Sequence, residues 1–327
     1  MKVFASHDSA LDYWRYHFSP DMEIGDPVRT NPSESYAYKK QDVLGCYPEW
    51  YVDPEKPVHV LVFDEKARRQ SSRIACHLWS TDLPDGTFHG RGSFRVSSPE
   101  FLFLQMATTL TTVQLIALGC ELCGTYILLP KDVVLPSVFD DCPERVAPLT
   151  NKTKIAALLD AVGPARGIKK ARRALKYVEE GSRSPMETRT YLQLCLPVML
   201  GGYGLPRATL NPEIELNEEA RKIAGQRFCW GDICWPDKRL DVEYNGGVHS
   251  GVEKMRRDAG RVLGIEHMGW RVITVTSLQV FDSDKFEVVA KEVAAHLKFA
   301  LRSNVLGHTP ARMALHEELD SWMSRTK

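Results

Sequence analysis

The chain carries no excess charge of either sign: its 327 residues hold 42 Lys and Arg against 42 Asp and Glu. A basic surface spread over the whole molecule is thereby excluded, so any contact with nucleic acid must come from a local patch. Long apolar runs are also missing. No segment approaches the ~20 apolar residues that span a bilayer. The opening MKVFASHDSALDYW has no apolar core of the length a secretory leader needs. The expectation is a soluble, cytoplasmic protein with no membrane partner. The signature of disorder is absent too. Hydrophobic residues make up 43% and charged residues 26%, the composition of a globular chain long enough for one large domain or two ordinary ones.

Cysteine is plentiful, with 8 residues, but lacks the pairing that zinc needs. Cys120 and Cys123 form a CxxC inside LIALGCELCGTY, which reads as an apolar helix. A metal site would want a second pair, and Cys229 with Cys234 is the other close couple. On one continuous strand their odd separation puts them on opposite faces. Reduced, buried thiols are expected ahead of disulfides or zinc.

Regular structure is unevenly legible. Residues 1–56 are polar, aromatic and turn-prone, and no fold can be read there. VHVLVFD at 58–64 and RIACHLWS at 73–80 alternate as strands do. Ser98-Pro99-Glu100 opens an apolar helix reaching about Leu110, and Thr112 is placed to cap a second with Leu115, Leu118 and Leu122 along its face. Residues 151–180 hold eight Lys and Arg against three acids, a net +5. Ile168, Ala171, Leu175 and Val178 supply an apolar stripe there. Lys169, Lys170, Arg173 and Lys176 then face outward, either as a solvated face or as contacts to nucleic-acid phosphates.

From Ser184-Pro185 onward the pattern sharpens to α-β-β-β-α-β-α. A helix runs toward Gly201-Gly202, followed by strands at 214–216, 225–235 and 239–247. A helix over about 250–268, strand 270–276 and a helix over about 284–303 complete the order. One more amphipathic helix is expected at 309–325. Together these patterns predict an α/β protein with an α+β N-terminal domain (1–180), a mixed sheet flanked by helices (184–305) and a helical tail (306–327).

The chemistry concentrates in 232–245. Read as a hairpin turning at Pro236-Asp237, the segment sets Trp235 opposite Lys238 and Asp232 opposite Asp241. Alternation then places Asp232, Asp241, Glu243 and Asn245 on one face, with Ile233, Leu240, Val242 and Tyr244 on the other. A solvent-exposed polar face would explain this alternation by itself. However, Trp230 and Cys234 share the carboxylate side, and crowded carboxylates cost energy unless a cation neutralises them.

Asp232 followed by Glu243-Tyr244-Asn245 resembles the D…(D/E)-x-K arrangement of the restriction-endonuclease-like superfamily. Trp235-Pro236, Leu240-x-Val242-Glu243-x-Asn245-Gly246, His249, Asp258-x-x-Arg261, Leu263 and Gly269-Trp270-Arg271-Val272 narrow the resemblance. In that order they are similar to the very-short-patch-repair endonuclease group and its uncharacterised bacterial relatives, over about 184–280. The resemblance implies a restriction-endonuclease-like mixed sheet in which Asp232 and Glu243 hold Mg²⁺ or Mn²⁺. Superfamily members also carry an acid on the preceding helix, and Glu187 is the candidate. Ser184-x-x-Glu187 is equally a capping box. Asn245 stands where the motif has lysine and cannot supply a positive charge. His249 or Lys254 can serve in its place, His249 through an imidazole that titrates in a useful range. Arg261 is expected near the site, toward nucleic acid, or in a surface pair with Asp258.

Two function classes follow. One is a metal-dependent DNA endonuclease of defence or repair. The other is a DNA-binding regulator or antitoxin that keeps the fold without cleaving. Asp232 and Glu243 favour the first, and the missing lysine favours the second.

Overall fold

A computed structural model describes residues 2–16, 27–28, 43, 45, 56–68, 71–90, 93–128, 145, 147–246, 252–302, 307 and 309–324. The chain divides into two units, one built from residues 1–123 and 127–178, the other from 124–126 and 179–325. Each combines helices with sheet, so the protein is α/β. In the first unit, β1 (Val3–Ala5), β2 (Pro27–Val28), β3 (Val58–Val62), β4 (Ile74–Leu78), β5 (Phe88–His89) and β6 (Phe94–Ser97) pair in the order β2-β5-β6-β1-β3-β4. β1 and α1 (His7–Tyr16) lie in the stretch that sequence left unread. β1 has three residues, all buried, too few to show a period. Arg15 of α1 forms a bidentate pair with Glu121, both bonds at 2.8 Å, and the two side chains are buried.

α2 (Pro99–Met106) starts as expected, with the Ser98 side chain accepting the Phe101 N–H. α3 (Thr112–Leu122) is capped by Thr111 rather than Thr112, with Gln114 completing the box. It is buried all round from Val113 to Leu122, and Cys120 and Cys123 are free, buried thiols. α4 (Lys152–Ala161) and α5 (Ile168–Leu175) follow. Ile168, Ala171, Ala174 and Val178 are buried, while Lys169, Arg173 and Lys176 are exposed. Lys170 departs from the expected outward face: its Nζ donates to the Leu110 carbonyl at 2.7 Å. Arg173 Nη2 donates to Thr112 Oγ1 at 3.1 Å. Two of the four cations expected to contact phosphate are thus tied to neighbouring backbone and side chain of their own unit.

The second unit contains α6 (Pro185–Cys195), β7 (Thr209–Leu210), β8 (Glu213–Glu215), α7 (Glu218–Ala224), β9 (Phe228–Trp230), β10 (Ile233–Trp235) and β11 (Leu240–Asn245). It continues with α8 (Val252–His267), β12 (Arg271–Thr276), α9 (Ser277–Val280), α10 (Ser283–His296) and α11 (Pro310–Ser324). The sheet runs β12-β11-β10-β7, and β8-β9 is a separate ribbon. β11 and β12 are parallel, with α8 as the crossover.

Several readings change. The single strand at 225–235 is broken at Gly231-Asp232, so β9 pairs with β8 while β10 pairs with β7 and β11. Because of that break, Cys229 and Cys234 fall in one core cluster with Ile214, Leu216, Ile265 and Val272, rather than on opposite faces. The hairpin turns through a 3₁₀ segment, Pro236–Lys238, and a left-handed Arg239 (φ 49°), which sets Trp235 opposite Leu240. α7 was not foreseen, although Asn217 caps it and Gly225 (φ 68°) ends it. The helix expected to reach 303 stops at His296. α11 is fastened to α6 within this unit, where buried Arg189 donates to Asp320 Oδ1 at 2.6 Å and covers the Phe281 ring at 4.4 Å. No helix of the described residues is long and apolar enough to cross a membrane.

Three histidines meet at the junction of β1 and α1 in the first unit. The His7 ring stacks on His77 at 3.6 Å, and His59 Nδ1 lies 3.0 Å from His77 Nε2. His7 is buried, adopts a left-handed backbone (φ 47°) and opens a helix whose positive end disfavours imidazolium. Burial, then the neighbouring His77 and His59, hold His7 down to about 2. Burial and His59 hold His77 to about 4, and burial lowers His59 despite Asp8. The trio is neutral at pH 7. Its contribution is full above the unfolded value near 6.5 and is lost as pH falls toward the folded values. The protection of β3 and β4 amides in hydrogen exchange, corrected for intrinsic rates, should fall below pH 6.5. Each histidine held neutral contributes about 1.4 kcal/mol per pH unit to that loss. His77→Gln should reduce the slope; a pH-independent protection between 7 and 4.5 would contradict this account.

Candidate active site: an acidic cluster in the second unit

The β10–β11 register puts Ile233 opposite Val242 and Cys234 opposite Asp241. Asp232, one residue before β10, therefore stands across from Glu243. The sequence reading had Asp232 opposite Asp241, but a two-step register shift preserves faces, whereas a one-step slip would invert them. Asp241 is fully buried and Glu243 nearly so at 7%, while Asp232 is half-buried. The carboxylate face is thus not a solvated one.

The break at Gly231 makes this arrangement possible. A Cβ there would lie 2.5 Å from Cys234 Sγ and 2.6 Å from Asp241 Oδ2, so only glycine fits. The chain turns over the Asp241 carboxylate, whose Oδ1 accepts from the Asp232 N–H (3.1 Å) and from Cys234 Sγ (3.3 Å). Asp241 Oδ2 is buried and has no hydrogen-bond partner among the described residues. Asp232 Oδ2 accepts the Tyr244 N–H at 2.8 Å.

Glu187 reaches the cluster from α6, where it is buried. Ser184 Oγ accepts the Glu187 N–H at 3.0 Å, which is the capping half of the motif. The Glu187 carboxylate accepts the Arg183 N–H at 2.9 Å and Asn211 Nδ2 at 2.6 Å. The Asn211 N–H in turn donates to the Asp232 carbonyl at 2.9 Å. Asn211 therefore ties the helix acid to the strand acid, so Glu187 both caps its helix and belongs to the cluster. Sequence reasoning missed Asn211. The available signal was an Asn-Pro step, since Asn tolerates the left-handed backbone found here (φ 48°).

Among the described residues, one guanidinium faces these acids. Arg261, on α8, donates through both terminal nitrogens to both oxygens of Glu243, and through Nη1 to the Trp230 carbonyl at 2.9 Å. Arg261 thus lies beside the acids, where the resemblance put it, and its guanidinium is bound to Glu243. Its pKa is raised, because the bond and charge of Glu243 outweigh burial. Burial first, then the charges of Glu187, Glu243 and Asp241, push Asp232 well above the usual carboxylate range. Burial and Glu243 push Asp241 up to about 8. Burial likewise raises Glu187.

Asn245 stands exposed at the end of β11, two residues beyond Glu243. His249 lies outside the described residues, and of Lys254 only its place in the first turn of α8 is described. Among the described residues, no three His, Cys, Asp or Glu groups are placed to hold a metal ion by themselves.

No family model matches the chain. No solved structure matches it either. It is similar to two uncharacterized proteins of Mycobacterium tuberculosis, from strains CDC 1551 / Oshkosh and ATCC 25618 / H37Rv. Each is 30% identical over 135 residues, covering 40% of this chain and 44% of the relative, so the chain spans less than half the length of the curated relatives it matches.

Proposed function

We propose that the second unit is a restriction-endonuclease-like domain and that its acidic cluster is a Mg²⁺- or Mn²⁺-dependent site for hydrolysing DNA phosphodiester bonds. One observation carries the reading: Asp232 stands across from Glu243, its N–H bonds the Asp241 carboxylate and Asn211 ties it to Glu187, with one guanidinium among the described residues, Arg261, beside them. Such a group is relieved by a proton or by a cation. Mg²⁺ suits the donor set, because it takes one or two carboxylates and fills the rest of its shell with water and phosphate oxygens. The lack of a third protein ligand is therefore compatible with it.

Asp232 and Glu243 would hold the ion. Bound there, it lowers the pKa of a water and neutralises charge at the scissile phosphate. Asn211 holds Glu187 beside Asp232 and so sets how strongly Asp232 seeks a cation. Arg261 fixes the orientation of Glu243. His249 or Lys254 is assigned to the attacking water or the phosphate, the place that Asn245 cannot fill. The non-cleaving regulator or antitoxin is the second reading. The Arg261–Glu243 pair favours it, because a guanidinium already neutralises one of the two proposed ligands.

The deciding assay is nicking of supercoiled DNA with Mg²⁺, Mn²⁺ or chelator. Wild type should cleave only with metal, and Asp232→Asn should not cleave. Cleavage by neither protein, with DNA binding retained, would transfer the assignment to the regulator.

Thermal melting gives a separate check. Without metal, Asp232→Asn should melt higher than wild type, because it removes a repelled carboxylate. Glu243→Ala should melt lower, because it strands Arg261. Wild type should gain about 2.7 kcal/mol at a hundredfold excess of metal over Kd, and both variants should lose that gain. Equal metal-induced shifts in all three proteins would count against the ligand assignment.

On the first unit, exposed Lys169 and Lys176 are the cations left to follow phosphates. Replacing both with Glu should weaken DNA binding and flatten its salt dependence by roughly one unit of slope per lost contact. An unchanged slope would return this helix to a solvated face.

A further inference from the structure

β9 presents a face that neither the acid cluster nor the core uses. Cys229 points into the core, and its neighbours Phe228 and Trp230 point the other way. Trp230 is exposed at 39%, and Phe228 is half-buried. Each ring carries its own guanidinium: Arg183 lies over Trp230 at 5.4 Å and Arg227 over Phe228 at 4.8 Å. Two residues apart on one strand face, the rings are roughly 6.6 Å apart along the strand. That spacing suits two successive bases of an extended single strand, one on each ring.

The ribbon also leads somewhere. Two residues after Trp230 comes Asp232, the Trp230 carbonyl is held by Arg261, and the Arg183 N–H is held by Glu187. Both ends of the Arg183–Trp230 pair are therefore anchored to members of the acid cluster.

We propose that Phe228 and Trp230 are a stacking platform for two unpaired nucleobases, delivering a single-stranded segment of nucleic acid to the acid cluster. The proposal rests on the reading of this unit as nuclease-like. Charge on this face is nearly balanced. Glu213 and Glu215 stand opposite Trp230 and Phe228, and Glu215 is paired with Arg221 (3.0 Å) and Arg227 (3.2 Å). Few net cations are left for phosphates, so affinity comes from stacking and its salt dependence is shallow. A paired base keeps its face inside the duplex stack and cannot use the rings.

The test measures binding of the full chain to a ten-nucleotide oligothymidylate and to a blunt duplex, both in chelator, so that no cleavage intervenes. Wild type should bind the single strand with little loss between low and moderate salt. Trp230→Ala should weaken that binding roughly tenfold, within the about 5- to 150-fold that one base stack is worth. Trp230→Phe should restore most of it, and Phe228→Ala should weaken it as well. Duplex affinity should change less than twofold in every variant. Circular dichroism and melting of each variant confirm that it folds. The proposal is overturned if wild type does not bind the oligothymidylate. It is equally overturned if Trp230→Ala binds it as wild type does, or if Trp230→Phe is as weak as Trp230→Ala. Loss of single-strand binding in Trp230→Ala, in a protein that never cleaves with metal, would sustain the platform while ending the nuclease reading. Metal-dependent cleavage with unchanged binding in Trp230→Ala would do the reverse.

Discussion

The second unit is organised around a like-charge problem. Asp232, Asp241, Glu243 and Glu187 come from a strand break, one strand and a helix, and their charges act on one another with Arg261 as the cation among them in the described residues. Local features of this region follow from accommodating that group. Gly231 is glycine because Asp241 Oδ2 occupies the space of a side chain. The strand breaks there so that the Asp232 N–H can cap Asp241 and the Tyr244 N–H can cap Asp232. Asn211 adopts a left-handed backbone and bridges the two acids that arrive from different elements. The parallel β11–α8–β12 crossover brings a cation from α8 back over β11.

The two units hold their ionisable groups in opposite ways. In the first, His7, His59 and His77 are neutral through burial and mutual repulsion, so acid costs stability. In the second, Asp241 and Asp232 have raised values, so their protonated forms stabilise the fold. That contribution is present below the ordinary carboxylate range and fades as pH rises through about 8 for Asp241. A cation bound at the acid cluster would remove this penalty near neutrality, which links metal occupancy to stability.

The alternation in 239–245 was legible because one face of β11 is apolar and the other carboxylate, and period two needs no tertiary information. Face membership survived a register error because the error was two steps. The turn that caused it, with Arg239 at φ 49°, has no strong sequence mark, since Arg is not a residue that favours the left-handed region. The β9–β10 break was invisible for a different reason. A glycine inside an apolar-aromatic run signals a possible bulge, but only the buried Asp241 opposite it decides the outcome. Arg261 was placed near the site by resemblance alone. Spacing suggested Asp258, whose side chain lies outside the described residues; the described partner is Glu243, eighteen residues back and across the crossover. β1 and α1 stayed unread because a three-residue strand carries no period and α1 buries its aromatic residues against a sheet assembled from distant segments.

The central claim is that the acid cluster binds a divalent cation in place of protons. Calorimetric titration of Mn²⁺ into the full chain at pH 7, in two buffers of different ionisation enthalpy, tests it most directly. The account predicts saturable binding accompanied by proton release, because Asp241 is pushed up to about 8 and a cation in the cluster displaces the proton it holds at pH 7. It also predicts that Asp232→Asn abolishes both the binding and the release. Absence of saturable heat in wild type, or binding that persists in Asp232→Asn, would contradict it.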